Sequence, residues 1–282
     1  VKASREAKER TSWLHPDTAY EEALTSFAES ILASEAGRPF LADFLAFQRI
    51  VAYYGALNGL AQVLLKITAP GVPDFYQGTE LWDFSLVDPD NRRPVDFDTR
   101  ARLLGALPVE ATGDRRGLLR ELLANWEDGR IKLYLTARGL RCRRRHADLF
   151  TAGDYLPLTV TGARREHVCA FARRHGATWG LIVVPRLTAR LTLTGGGEPI
   201  EPPGTEPTPA ADDLPPLRLP LGLRVWGDTA LTLPTDAPLR WRDVLSGAFV
   251  AATPASVPTA LELPVGALLS DFPVALMLGA PA

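Results

Sequence analysis

Apolar positions recur with a helical period over the first 150 residues. Tyr20, Leu24, Phe27 and Ile31 are spaced by three to four, which places them on one helix face, and Thr18 with Glu21 has capping-box spacing at its start. From Phe40 to Lys66 the stripe continues through Phe44, Phe47, Val51, Tyr54 and Leu57. Gly55 and Gly59 mark either close packing or a break between two helices, and these helices are expected to be mostly buried. Pro70, Gly71 and Pro73 end the pattern, leaving Asp74 to Gln77 room for a short strand before Gly78. Residues 81–98 read as a polar loop punctuated by proline, and Asp98 can cap a helix running through Arg102 and Leu104. Helical periodicity returns over 118–126 and 131–149.

After Gly153 the texture changes to short strands between Gly and Pro turns: Tyr155 to Val160, His167 to Ala172, Trp179 to Val184, Leu231 to Leu233 and Val274 to Leu278. The stretch from Gly195 to Pro220 is rich in glycine and proline and reads as a long surface loop. The pattern predicts a mostly helical segment over 1–150 and an all-β domain over 151–282.

Composition narrows the function classes. With 282 residues, 46% of them hydrophobic, the chain can bury a sizeable core, and a net charge of -2 gives no field that would draw nucleic acid or anionic membrane. The basic run Arg141, Arg143, Arg144 and Arg145 lies at a predicted helix end, where cations suit the macrodipole, and has no interleaved aromatic platform. No stretch is read as a membrane helix. Two cysteines, Cys142 and Cys169, are too few for a disulfide framework and fit a reducing cytosol; Cys169 is expected to be a small core residue of its strand. The single methionine is Met277 and the chain opens on Val1, so it is expected to be a piece of a longer protein.

Signatures of cofactor chemistry are absent. No glycine-rich phosphate loop precedes a helix, and His15, His146, His167 and His175 lack paired ligand spacing, so no metal is demanded; no G-x-S-x-G elbow occurs, so a serine nucleophile is not expected either. The informative segment is Pro70 to Phe97, PGVPDFYQGTELWDFSLVDPDNRRPVDF. It gathers Tyr76, Gln77, Glu80, Trp82, Asp83, Asp88, Asp90, Asn91, Arg92 and Arg93 just beyond the predicted strand. Such bidentate side chains with an aromatic ring suit a neutral sugar. Equally, Asp88 to Asn91 can simply form a turn, with Arg92 paired to a carboxylate.

This run resembles the eighth barrel strand and following loop of the malto-oligosyltrehalose synthase family, within the α-amylase family, glycoside hydrolase family 13. The opening KASREAKERTSW, with Pro16 and Tyr20, resembles the segment after the seventh strand of the same family. GDYLPL, EHVCAFARRHG, VVPRL and LLSDFPVAL resemble its C-terminal β domain. The fold implied is α/β plus all-β: the C-terminal part of a (β/α)8 barrel, its last strand and outer helices, followed by a β-sandwich domain.

The activity that the resemblance implies is intramolecular transglucosylation, converting the reducing-end α-1,4 linkage of a malto-oligosaccharide into an α,α-1,1 linkage. That is retaining glycosidase chemistry in which released glucose replaces water, with no cofactor and in the cytoplasm. The catalytic carboxylates of the family lie on strands that precede the equivalent of Val1, so no catalytic residue is assigned here. The expected partners are the malto-oligosaccharide and the missing N-terminal part of the same polypeptide. Tyr76, Gln77, Glu80, Trp82, Asp88, Asp90, Asn91, Arg92 and Arg93 become candidate substrate-positioning residues. Lys2, Arg5, Lys8 and Trp13 match the opening run and are candidates to close over the sugar, or else form a charged helix face with one packed Trp. Two alternatives stay open: another α-amylase-family hydrolase, and a non-catalytic carbohydrate-binding or scaffold protein.

Overall fold

The structure is a computed structural model that describes residues 1–86, 88–107, 115–193, 217–255 and 259–280. Most of the glycine- and proline-rich stretch read as a surface loop therefore lies outside the described residues. Among the described residues the chain divides into two compact units, Val1–Tyr53 and the residues from Tyr54 onward.

The first unit holds α1 (Lys2–Ala7), α2 (Thr18–Ala33) and the first part of α3 (Arg38–Thr68). The expected capping box is not formed. Asp17 stands one residue ahead of Thr18 and accepts from the Tyr20 backbone N–H at 3.0 Å, which makes Asp17 the N-cap and frees Glu21 for other partners. The amphipathic faces here are not buried as expected: Phe27 is 63% and Phe47 64% exposed, and Phe40 stacks on Phe44 at 5.5 Å at the surface. An apolar stripe fixes which positions share a face, and burial needs a second surface to cover it.

α3 runs unbroken through Gly55 and Gly59, so the two glycines do not separate two helices. It is long and apolar enough to cross a membrane by length and composition, which corrects the reading that no stretch is; 44% of its most apolar window is buried in the protein. In the second unit its Leu60, Leu64 and Ile67 are core residues.

The second unit continues with α4 (Phe97–Ala106), α5 (Arg115–Ala124), α6 (Arg130–Arg145) and α7 (Ala147–Thr151). Asp96 rather than Asp98 caps α4, accepting from Thr99 N at 2.9 Å, because the first helical residue is Phe97 and Asp98 already lies in the first turn. The pattern over 131–149 is two helices, broken at His146. α3 and α6 approach closely at Gly139, where a β-carbon would come within 2.8 Å of Ile67 Cδ1.

The β portion contains β1 (Asp154–Pro157), β2 (Thr159–Thr161), β3 (Val168–His175), β4 (Thr178–Pro185), β5 (Ala230–Pro234), β6 (Arg240–Asp243), β7 (Phe249–Ala251), β8 (Thr253–Pro254), β9 (Ala260–Pro264) and β10 (Ala275–Ala280). Short helices α8 (Thr188–Leu193), α9 (Gly222–Trp226) and α10 (Val265–Leu268) lie among them. One sheet has the order β1-β3-β4-β10-β6-β7, the other β2-β5-β9-β8, and every pairing is antiparallel. The expected strand from Tyr155 to Val160 is thus two strands, one in each sheet. β4 is buried on both faces, which explains its continuous apolar run. Ile182 and Val184 join the core built with α3, α5, α6 and α7, while Leu181 and Val183 join a second core with Leu231, Leu233, Leu261 and Leu263. The first core draws on residues from both sides of position 150. Cys169 is exposed, contrary to expectation, because side chains alternate along β3 and its neighbour Val168 takes the inward position.

The described residues are thus a mixture of helices and antiparallel sheet. Asp74 to Gln77 does not form the expected strand. A parallel barrel strand exists only through ladders to its neighbours, and no described residue of this chain supplies one.

Candidate functional site

The segment after α3 is positioned by the ends of two helices. Arg143 of α6 donates to the carbonyls of Ile67 at 2.6 Å and Gly71 at 2.7 Å, capping the last turn of α3 with a cation. Arg173 of β3, 1% exposed, donates to Thr68 O at 3.0 Å, Phe150 O at 3.1 Å, Gly153 O at 2.8 Å and Asp154 O at 3.2 Å. The chain then turns at Gly71 and passes along α3 and α6.

Phe75 packs against the first core with Lys66 Nζ 3.9 Å from its ring centre. At Gly78, with φ +91°, the backbone adopts the left-handed region that favours glycine. Arg100 of α4 holds this turn, donating to Gly78 O at 2.7 Å and Glu80 Oε2 at 2.9 Å. Trp82 is half-buried: its Nε1–H donates to Trp126 O at 2.7 Å, its ring meets Trp126 edge-on at 6.4 Å, and Gly59 of α3 leaves room beside it. Lys132 donates to Leu81 O at 3.1 Å and stands 5.5 Å from the Trp82 ring. Burial lowers the Lys132 ammonium pKa, Lys66 lowers it further, and Asp83 and Glu80 oppose this. Asp83 accepts from Ser85 N at 2.9 Å, which lowers its pKa.

A cleft of about 320 Å³ opens where this segment crosses the helices. Tyr76, Asp74 and Thr79 line it from the segment, Gln62 and Lys66 from α3, and Lys132 and Thr136 from α6. Gly59, Val63 and Phe75 complete the lining, so polar and apolar surfaces both face the cleft. Asp74 is the one acidic lining residue among those described, so the cleft does not present a pair of carboxylates for general acid and nucleophile.

The candidates named from sequence therefore separate. Tyr76, 42% exposed, lines the cleft. Glu80 and Trp82 stand beside it with their polar groups engaged by Arg100 and Trp126. Gln77 and Arg93 are at the surface. Asp88 pairs with Arg92 across a short 3-10 turn, Asp90–Arg92, and Asn91 Oδ1 is buried there with no hydrogen-bond partner among the described residues. The turn and its Arg92–carboxylate pair are thus both present. Lys66, Lys132, Gln62 and Thr136 were not picked out from sequence. Their signal was the i, i+4 spacing of Gln62 with Lys66 and of Lys132 with Thr136 on otherwise apolar helices.

Lys2, Arg5, Lys8 and Trp13 lie in the first unit. Arg5 forms a bidentate pair with Glu21 at 2.7 and 2.6 Å, Thr11 adds its hydroxyl to Glu21 at 2.6 Å, and Arg5 Cζ lies 4.9 Å from the Trp13 ring. Trp13 Nε1 donates to Glu6 at 2.9 Å, and Lys8 ends α1 in the left-handed conformation. Arg5 is thus held by Glu21 and Thr11 joins that contact, while Trp13 beside it is 54% exposed.

The hydrogen bonds from Arg5 and then Thr11 hold the Glu21 carboxyl at about 2, below the ordinary 4.5. A depressed carboxyl pKa stabilises the fold above the unfolded value, and that contribution disappears as pH falls from 4.5 toward 2. The protection factor of the Asp17 amide, whose N–H is held by Thr11 at 3.0 Å, should fall across that window once the intrinsic pH dependence of exchange is divided out. Glu21→Gln should already show the lower protection factor at pH 7, and a wild-type protection factor unchanged by acid would contradict the assignment.

No family model matches the chain. It is 32% identical over 270 residues to a putative maltooligosyl trehalose synthase of Mycobacterium tuberculosis, a match that covers 96% of this chain and 27% of the relative. Among solved structures, a mutant of maltooligosyltrehalose synthase from Arthrobacter ramosus superposes with a TM-score of 0.69 and the unmutated enzyme with 0.66. Both are 33% identical, covering 99% of this chain and 29% of theirs. A further maltooligosyl trehalose synthase, 24% identical, shares the fold with a TM-score of 0.61. Along almost its whole length the chain is similar to maltooligosyl trehalose synthases, and it corresponds to a C-terminal portion of them spanning 27–29% of their length.

Proposed function

We propose that this chain completes the catalytic domain of a maltooligosyl trehalose synthase and supplies part of its sugar-holding surface. In this reading residues 1–150 are the end of a (β/α)8 barrel, including its last strand segment, and 151–282 form a β-sandwich domain behind it. The strand segment at 74–77 acquires its ladder only beside the barrel strands carried by the preceding polypeptide. The whole enzyme acts in the cytoplasm, without a cofactor, on the reducing end of a malto-oligosaccharide. One carboxylate attacks the anomeric carbon, a carboxylic acid protonates the leaving oxygen, and the released glucose, held and turned round, attacks through its own anomeric hydroxyl. Both carboxylates belong to the preceding polypeptide.

What supports the reading is similarity that runs through both the loop segment and the β portion, together with a cleft against which Tyr76 lies. Trp179, Trp226 and Trp241 are 2%, 0% and 0% exposed, so none offers a sugar-stacking platform to an independent binding module. In the longer protein, Tyr76→Ala should weaken substrate binding by about 1.4 kcal/mol, seen as a roughly tenfold higher KM. An unchanged KM would remove Tyr76 from the binding surface.

A further inference from the structure

The first unit has a polar framework but no apolar core. Between residues 1 and 52, Thr11, Glu21 and Gly37 are the buried positions among those described, and no apolar side chain is buried. Arg5 and Thr11 nevertheless meet on Glu21, and Asp17 caps α2. At Gly37 a β-carbon would come within 2.3 Å of Ile31 O, so the bend before α3 requires glycine. α2 meets this bend, Glu35–Gly37, and the two long helices do not pack along each other.

Apolar surface is instead presented outward. Tyr20 and Phe27 are exposed on α2, and Phe40, Phe44, Phe47 and Val51, which share one face of α3, are between 43% and 64% exposed. The same face continues to Tyr54, which is buried in the second unit. One stripe is therefore covered along part of its length and bare along the rest. Arg38 and Arg49 stand on the opposite side of α3, so the stripe is one-sided and suits a protein surface rather than lipid all round. Helices in water gain most of their stability by packing such a face, and roughly 50 residues without a buried apolar side chain do not offset the entropy of ordering them.

The chain corresponds to a C-terminal portion spanning 27–29% of its relatives, so most of their length lies ahead of the matched region. A partner on the same polypeptide is held at high effective concentration, and the stripe closes on it before a second copy can compete. We propose that the apolar stripe of α2 and α3 is the docking surface for the preceding polypeptide of the same protein, and that the first unit acquires its core only there. The inference rests on the reading that this chain ends a longer enzyme, and adds the surface through which the two parts are joined.

The test is hydrogen exchange, at one pH, on the 282-residue chain and on the same chain joined to its preceding polypeptide. Amides of residues 18–53 are expected to exchange at least a hundredfold more slowly in the joined protein, while β4 and β10 keep the protection they have in the chain alone. The double variant Phe44→Asp with Phe47→Asp should leave thermal unfolding of the 282-residue chain unchanged, because both rings are exposed there, and should restore fast exchange over 18–53 in the joined protein. Phe47→Leu should keep the protection. Equal exchange of 18–53 in the two unmutated proteins, or full protection in the joined double variant, would overturn the proposal. Protection in the chain alone that rises with its concentration would replace the preceding polypeptide by a second copy, and protection gained on adding phosphatidylglycerol vesicles would replace it by a membrane surface. Turnover of maltopentaose is not read, so a joined protein that gains protection without transglucosylating would uphold the docking surface and remove only the proposed activity.

Discussion

Arg173→Met should destabilise the second unit by about 3–5 kcal/mol, more than any single change to the cleft. The guanidinium is buried, and its four acceptors are backbone carbonyls: Thr68 at the end of α3, Phe150 in α7, and Gly153 and Asp154 where the chain enters β1. Helix ends leave carbonyls without intrahelical partners, and burying them unpaired is costly. Methionine fills similar volume but donates nothing, so the buried carbonyls of Thr68 and Phe150 lose a charge-assisted partner and gain no water. Lysine restores the charge without the planar fork and should recover only part of the loss. Urea unfolding of the three proteins would read this directly. A loss below about 1 kcal/mol for Arg173→Met would mean the carbonyls find other partners. The functional consequence follows from position. Arg173 and Arg143 together fix the end of α3, from which the segment carrying Tyr76 and Trp82 departs.

Arg173 illustrates what the sequence conceals. Read alone it is one more arginine in a run of polar residues, because its partners are carbonyls that any residue could provide. Elements defined by side-chain period were readable: α2, α3 and α5 from their apolar stripes, and β4 from a run buried on both faces. Strand β6, Arg240–Asp243, was not, although its burial alternates, because an inward aspartate and outward arginines disguise the hydrophobic period. Asp17 displaced Thr18 as the cap of α2 because either can fill that role and only geometry decides. Residues 74–77 carry a strand's composition without forming one, since a strand is a property of two segments.

The candidate site was legible to the same degree. Tyr76 was named and lines the cleft, and Trp82, named with it as a substrate-positioning candidate, stands beside the cleft with its ring edge-on to Trp126. Lys66 and Lys132 are hidden within helices whose dominant signal is apolar. The arginines of the run 141–145 part ways for similar reasons. Arg143 caps α3, and Arg141 and Arg145 turn to the side of α6 that faces Arg115 and Arg242, a division made by the 100° step between successive helical residues.

The second large effect is all-or-none. If the nucleophile and the acid belong to the preceding polypeptide, this chain holds substrate-positioning groups and no reacting ones, and loss of the whole catalytic constellation removes the full rate enhancement rather than a fraction of it. Asp74 is the one acidic residue lining the cleft among those described, and Glu80 and Asp88 are tied to Arg100 and Arg92. The most direct measurement is to incubate the purified chain with maltopentaose, alone and joined to the preceding portion of the enzyme, and to follow reducing ends together with free glucose. The account predicts no change with the chain alone, and loss of reducing ends with little glucose release once the preceding portion is present. Turnover by the chain alone would contradict it and make Asp74, Glu80 and Asp88 the first residues to mutate, and glucose release without loss of reducing ends by the joined protein would replace transglucosylation with hydrolysis.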